Sequence, residues 1–146
     1  MINGPLAGSS LPELVTKYGA SLLGDYVVKE YGCDFPLLVK LIEATDRLSI
    51  QVHPDDDLAQ KLHQMRGKSE MWYVLNAEDN AYIIAGWKAP LSKNVYLDKL
   101  KDNDVESIVQ KHYVHRGDVF FIPAGTVHAI GKGCLILEIQ QSSDIT

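Results

Sequence analysis

The sequence is poor in cysteine: its 146 residues include two, Cys33 and Cys134, far apart and with no CxxC pair. That excludes a disulfide scaffold and a cysteine-built zinc site, and the two read as free thiols suited to a reducing cytoplasm. Positive charge is also short, with 14 Lys and Arg against 19 Asp and Glu for a net charge of -5. A general nucleic-acid binder needs a basic face to displace counterions from phosphates, so no nucleic-acid partner is expected. No apolar run approaches the roughly 20 residues that cross a bilayer. The opening MINGPLAGSS also lacks the basic-then-apolar pattern of a secretory signal. Repeats, low-complexity tracts and charge blocks are missing as well. What is present is 46% apolar residues over a length that suits one compact domain, residues 1–146.

Ser10 followed by Glu13 forms a capping-box pattern ahead of Leu11, Leu14 and Val15, which predicts a short helix running to Gly19. The next stretch, SLLGDYVVKEYGCDFP, fits no single period. From Leu37 the runs LLVKLIEA and LSIQVH read as strands. In the second, Leu48, Ile50 and Val52 alternate with Ser49, Gln51 and His53, so a period of two gathers three polar side chains on one face before Pro54 closes the strand. DDDLAQKLHQMRG predicts a helix capped by Asp55 or Asp56, with Leu58, Leu62 and Met65 at helical spacing before Gly67. EMWYVLN and NAYIIAGW read as strands, NDVESIVQ as a short helix, and YVHRG, DVFFIP, VHAIG and CLILEIQQ as brief strands between Gly and Pro. Many short strands with this punctuation predict a mainly β fold, a sandwich or barrel with helical insertions.

The sharpest chemical signal is GDVFFIPAGTVH, in which Gly117, Pro123, Gly125 and His128 stand at fixed offsets. Gly117 permits a tight turn into DVFFI, and Pro123 with Gly125 shapes a turn that brings the next strand back antiparallel. This spacing resembles the second motif of the cupin superfamily, whose histidine binds a metal inside a jelly-roll β-barrel. A lone histidine is more often a hydrogen-bonded core residue, but the full spacing favours the metal. LSIQVHPDD, GKSEMWYVL and IPAGTVHAIGKG, with NGPLAGSSLPELVTKYG and FPLLVKLIEATDRLSIQVHPDD, together resemble the type I mannose-6-phosphate isomerases in their short bacterial form.

The resemblance implies a cupin-type jelly-roll barrel whose metal ligands fall on Gln51, His53, Glu70 and His128. One amide oxygen, two imidazoles and one carboxylate suit a borderline divalent cation; zinc is the expected cofactor, and manganese, iron and cobalt fit the same donors. It further implies a phosphorylated hexose substrate and interconversion of mannose 6-phosphate and fructose 6-phosphate through an enediol. Glu138 falls on the family's base, Lys68 on its active-site lysine, and Asp144 on a position near the catalytic pocket. Glu138 shares strand parity with Cys134 and Ile136, a face expected to be apolar, where a carboxylate needs a reason; the alternative is that this face points outward. His63, His112 and His115 read as surface or structural residues, and Trp72, Tyr73 and Trp87 as core or pocket wall.

Family members have further strands before the NGPLAG-like stretch. They also continue past QQSSD into an arginine suited to phosphate or enediolate, and then into a second β domain. The expectation is therefore a metal-bearing cupin domain that lacks those parts, in the cytoplasm, with unpaired sheet edges that favour a homodimer. The alternative is an inactive metal-binding cupin that serves as a sugar-binding or sensor module.

Overall fold

Ser10 begins the first helix as its pattern predicts. In the computed structural model, which describes Met1–Thr146, its Oγ accepts from the Glu13 N–H while the Glu13 carboxylate accepts from the Ser10 N–H, at 3.4 and 2.7 Å. Helix α1 (Leu11–Tyr18) ends at Gly19, and the aperiodic stretch that follows forms α2 (Ala20–Leu23) and α3 (Asp25–Tyr31), each closed by a glycine. These helices belong to the first of two compact units, Met1–Leu37; the second is Leu38–Thr146. No helix is long and apolar enough to cross a membrane.

The second unit is two antiparallel sheets. One has the order β1 (Leu37–Glu43), β7 (Cys134–Gln141), β2 (Glu70–Ala77), β5 (Val119–Ile122); the other has β4 (Val109–Tyr113), β3 (Tyr82–Trp87), β6 (His128–Ile130). This is the expected mainly β, jelly-roll arrangement, and the sheets enclose a core that includes Trp72, Val74, Ile83, Ile122, Ile130 and Ile136. Period-two alternation sets the interior: along β7 the buried residues are Cys134, Ile136, Glu138 and Gln140, and along β2 Glu70, Trp72 and Val74. The β2–β7 register opposes Val74 to Ile136, Trp72 to Glu138 and Glu70 to Gln140. The shared inner face therefore passes from apolar at one end to polar at the other.

Several expectations are corrected. LSIQVH forms only an isolated bridge, Gln51 with His128, instead of a full strand. It still runs along the free side of β6 through Leu48 N–H to Ile130 O and the reciprocal Gln51–His128 pair, at 2.9 and 3.0 Å. NDVESIVQ contributes one 3-10 turn (Val105–Ser107) and then enters β4, because the run from Val109 finds a ladder partner in β3. The helix between them, α5 (Lys93–Lys101), has no apolar stripe strong enough to read from sequence; Ser92 caps it through Val95 N–H. The helix over DDDLAQKLHQMRG forms as α4 (Asp56–His63) with Asp55 as its cap, yet it buries only Ala59 and leaves Leu58, Leu62 and Met65 exposed. The Pro123–Gly125 turn does not make a hairpin: it carries the chain from β5 in one sheet to β6 in the other, with Gly125 at φ 83°.

Gly67 has a further use. A Cβ there would stand 2.5 Å from the Asp55 backbone, so only glycine lets the chain pass against the start of α4. That close passage lets Lys68 N–H reach Pro54 O at 3.1 Å, which places the Lys68–Glu70 segment beside His53.

Candidate metal centre and active site

Three elements deliver three donors to one buried point. The bridge to β6 fixes His53 and His128, and the first residue of β2 brings Glu70; each is about 1% exposed. The donor atoms all lie within 4.8 Å of one another. His53 Nε2 and His128 Nε2 are 3.1 Å apart, His128 Nε2 is 3.3 Å from Glu70 Oε1, and His53 Nε2 is 3.7 Å from Glu70 Oε2. Donors held about 2.0–2.2 Å from a shared cation stand roughly 3 to 3.5 Å apart, so the first two spacings suit a common ion and the third is slightly wide.

Lys68 is the cation that engages this donor set, reaching His53 Nε2 and Glu70 Oε2. His128 Nδ1 donates to Thr126 O at 2.8 Å, which fixes the tautomer that turns the Nε2 lone pair inward. His53 Nε2 accepts from Lys68 Nζ at 3.0 Å and so presents a lone pair as well. Two lone pairs 3.1 Å apart repel unless a cation lies between them. Both Glu70 oxygens lack a hydrogen bond, although Lys68 Nζ reaches Oε2 at ion-pair distance, 3.1 Å. His53 Nδ1 faces the backbone of Ile145 off hydrogen-bond geometry. Two imidazoles and a carboxylate whose oxygens lack hydrogen bonds fit a divalent cation.

Burial sets the protonation states. Desolvation, with help from Lys68, lowers His53 to a pKa of about 4, and desolvation also lowers His128; both rings are neutral at pH 7, as ligands must be. Desolvation and then the neighbouring Glu138 raise the Glu70 carboxyl, while Lys68 opposes the rise.

Glu138 points inward, as its strand parity requires, and is 4% exposed. Trp72 Nε1 donates to its Oε1 at 3.2 Å, and Lys40 Nζ pairs with Oε2 at 3.1 Å, although off hydrogen-bond angle. Trp72 also packs edge-on against the His128 ring, centroids 5.5 Å apart, so one indole touches both the donor set and the carboxylate. Lys68 is 7% exposed and stands among the donors.

The structure therefore brings His53, Glu70, His128, Lys68 and Glu138 together. Gln51 is half-buried and backbone-bonded to His128, and its amide makes no hydrogen bond. It borders a cavity of about 640 Å³ whose wall includes Ile50, Val52, Trp87 and Tyr96, a space that does not contain the titratable cluster. Asp144 is exposed, without a hydrogen bond or ion pair, and is not brought into the cluster. His63 is exposed, His115 pairs weakly with Asp118 at 4.0 Å, and His112 bonds Ala85 O at 3.2 Å, in keeping with surface and structural roles.

Sequence reasoning passed over two residues, Lys40 and Gln140. Lys40 on β1 is the one charge inside the apolar run LLVKLI, which is itself a signal. Gln140 continues the inward parity of Glu138, so the same count that selects Glu138 selects it too.

A jelly-roll β fold with a buried His–Glu–His group that could hold a metal ion defines a domain of the cupin type. The family model for the catalytic domain of type I phosphomannose isomerase matches residues 4–86, and the chain belongs to that family. It is 43% identical over 146 residues to "Probable mannose-6-phosphate isomerase GmuF" of Bacillus subtilis, covering 99% of this chain and 44% of the relative. It is 42% identical over 144 residues to the mannose-6-phosphate isomerase of Streptococcus mutans, with the same two shares, 99% and 44%. The crystal structure of mannose 6-phosphate isomerase from Bacillus subtilis superposes with a TM-score of 0.86 at 37% identity, over 99% of this chain and 44% of that one. The chain thus spans less than half the length of these relatives.

Proposed function

We propose that this domain binds one divalent transition metal, zinc first among them, and interconverts mannose 6-phosphate and fructose 6-phosphate. The observation that carries this reading is the meeting of the buried His53–Glu70–His128 donors, drawn from both sheets, with the nearby Glu138–Lys40 pair. His53, Glu70 and His128 would hold the metal; Gln51, which borders a separate cavity, is assigned as a fourth ligand through the resemblance alone. When bound, the cation supplies Lewis-acid stabilisation of charge on the sugar oxygens at C1 and C2.

The chain's own residues account for the proton. Aldose–ketose conversion moves one proton between C1 and C2 and one between their two oxygens through an enediol, with no net oxidation; the carbon-bound proton is the one that needs a base. Glu138 is the carboxylate that accepts and returns it: Lys40 pairs with its Oε2, and the Trp72 N–H on Oε1 fixes its rotamer. Lys68 and Lys40 supply two ammonium groups for the developing oxyanion or the phosphate, so attraction of a dianionic sugar is local despite the net charge of -5. Asp144 is assigned to the pocket through the resemblance alone. Two free thiols and the proposed sugar-phosphate substrate support a cytoplasmic location. The outer strands β1 and β5 offer edges for a homodimer, which light scattering would reveal as a doubled mass.

The test is conversion of fructose 6-phosphate to mannose 6-phosphate with added zinc, together with elemental analysis. Turnover that vanishes in a Gln51→Ala, His53→Ala double variant supports the proposal. No turnover above that variant overturns it. Bound metal without turnover would favour the sensor or sugar-binding module.

A further inference from the structure

Gln140 is among the largest fully buried polar side chains, 1% exposed, on the strand position two beyond Glu138. An amide at such a position is unfavourable unless each polar atom is matched, and here each is. Its Oε1 accepts from Lys40 Nζ, and its Nε2 donates to Gln141 O at 2.9 Å and to Ser143 O. Ser143 Oγ in turn donates to Arg66 O at 2.8 Å, and Gln141 Oε1 accepts from Ser69 N–H at 2.7 Å. The amide therefore joins Lys40 on β1 to a turn fastened on both sides of Lys68.

Lys40 needs such a hold. Its side chain is 38% exposed and flexible, and only two oxygens engage its ammonium, Glu138 Oε2 and Gln140 Oε1. We propose that Gln140 is a positioning residue that fixes the Lys40 ammonium against Glu138 and references it to the loop bearing Lys68. Its catalytic consequence rests on the isomerase reading above; the Gln140–Lys40 tie itself does not.

The experiment uses the whole chain and two variants. Gln140→Met keeps the size and removes every polar contact; Gln140→Glu keeps an oxygen for Lys40. Competitive acetylation with isotopically labelled acetic anhydride, read lysine by lysine by mass spectrometry, reports how firmly each ammonium is held. Lys40 should react on the order of ten-fold faster in Gln140→Met, while exposed Lys61 and Lys132 keep their rates, and Gln140→Glu should restore the slow rate. In turnover assays with zinc, kcat should fall on the order of ten-fold in Gln140→Met at unchanged metal content and recover in part in Gln140→Glu. An unchanged Lys40 rate in Gln140→Met overturns the proposal, as does an acceleration shared by all lysines, which marks loosened folding. Faster Lys40 labelling with unchanged kcat overturns the catalytic consequence. A wild-type chain without turnover refutes the isomerase reading instead, and the labelling still decides the tie.

Discussion

Replacing Glu138 by glutamine removes one buried negative charge while preserving shape. The structure fixes what survives: Oε1 still accepts from Trp72 Nε1 at 3.2 Å, but an NH₂ group now meets the Lys40 ammonium where Oε2 stood at 3.1 Å. Lys40, with a side chain 38% exposed, can turn toward water. A pair half open to solvent contributes about 1 kcal/mol or less. Its loss is offset because the Glu138 charge no longer raises the Glu70 carboxyl. The net change in stability should stay within about 1 kcal/mol, or roughly 2–4 °C in Tm at this chain length. Catalysis has no such compensation. Loss of a positioned general base should lower kcat about 10²–10⁴-fold, or roughly 3–5 kcal/mol of barrier. The assay is conversion of fructose 6-phosphate with zinc, with Tm and zinc content measured on the same preparation and deuterium uptake from D₂O followed in the sugar. Wild-type turnover in Glu138→Gln, or a rate loss matched by lost zinc, refutes the assignment.

Three further outcomes are expected. His128→Ala removes one donor and the ring between His53 and Trp72, so zinc retained after dialysis should fall well below one equivalent; unchanged elemental content would sink the ligand set. In metal-free protein, His53 ionises near pH 4 folded and near 6.5 unfolded, so the unfolded chain binds the extra proton between those values. Its contribution is intact above about pH 6.5 and declines by about 3 kcal/mol as pH falls to 4. Glu70, shifted upward, opposes this trend, so the clean measurement is the difference in denaturation free energy from His53→Gln across that window; a flat difference would contradict the burial argument. Gly67→Ala drives a methyl into the Asp55 backbone and should cost about 1–3 kcal/mol by chemical denaturation; wild-type stability would disprove the close passage.

Where local chemistry and period agree, the sequence was a sufficient guide. Ser10 and Glu13 cap α1 because both partners of that box are three residues apart, and Glu138 faces inward because strand parity depends on nothing beyond the strand. The candidate donors His53, Glu70 and His128 were reached through the resemblance of their motifs, and the structure brings those three side chains together. Long-range pairing was not legible. Whether Pro123–Gly125 makes a hairpin or a crossing depends on which sheet accepts β6, and LSIQVH falls short of a full strand because it bridges β6 at Gln51 alone. Lys40 escaped notice for the same reason: nothing local to LLVKLIE reveals that its ammonium meets residues 98 and 100 positions away, Glu138 and Gln140.

The inner face shared by β2 and β7 divides the labour within single strands. At one end Val74, Ile136 and Cys134 exclude water and supply cohesion; two residues further along the same alternation places Trp72 and Glu138, and two further Glu70 and Gln140. A carboxylate at these positions is costly to bury alone, which is why each has a cation within 3.1 Å, Lys40 for Glu138 and Lys68 for Glu70. Trp72 sits at the transition because its ring belongs to the apolar side and its N–H to the polar one. The apolar half holds the strands in register, and that register alone sets Glu138 beside Trp72 and Gln140 beside Glu70. The spacing of the two carboxylates is thus a consequence of core packing one pleat away, and the Gly67 passage then sets Glu70 beside His53.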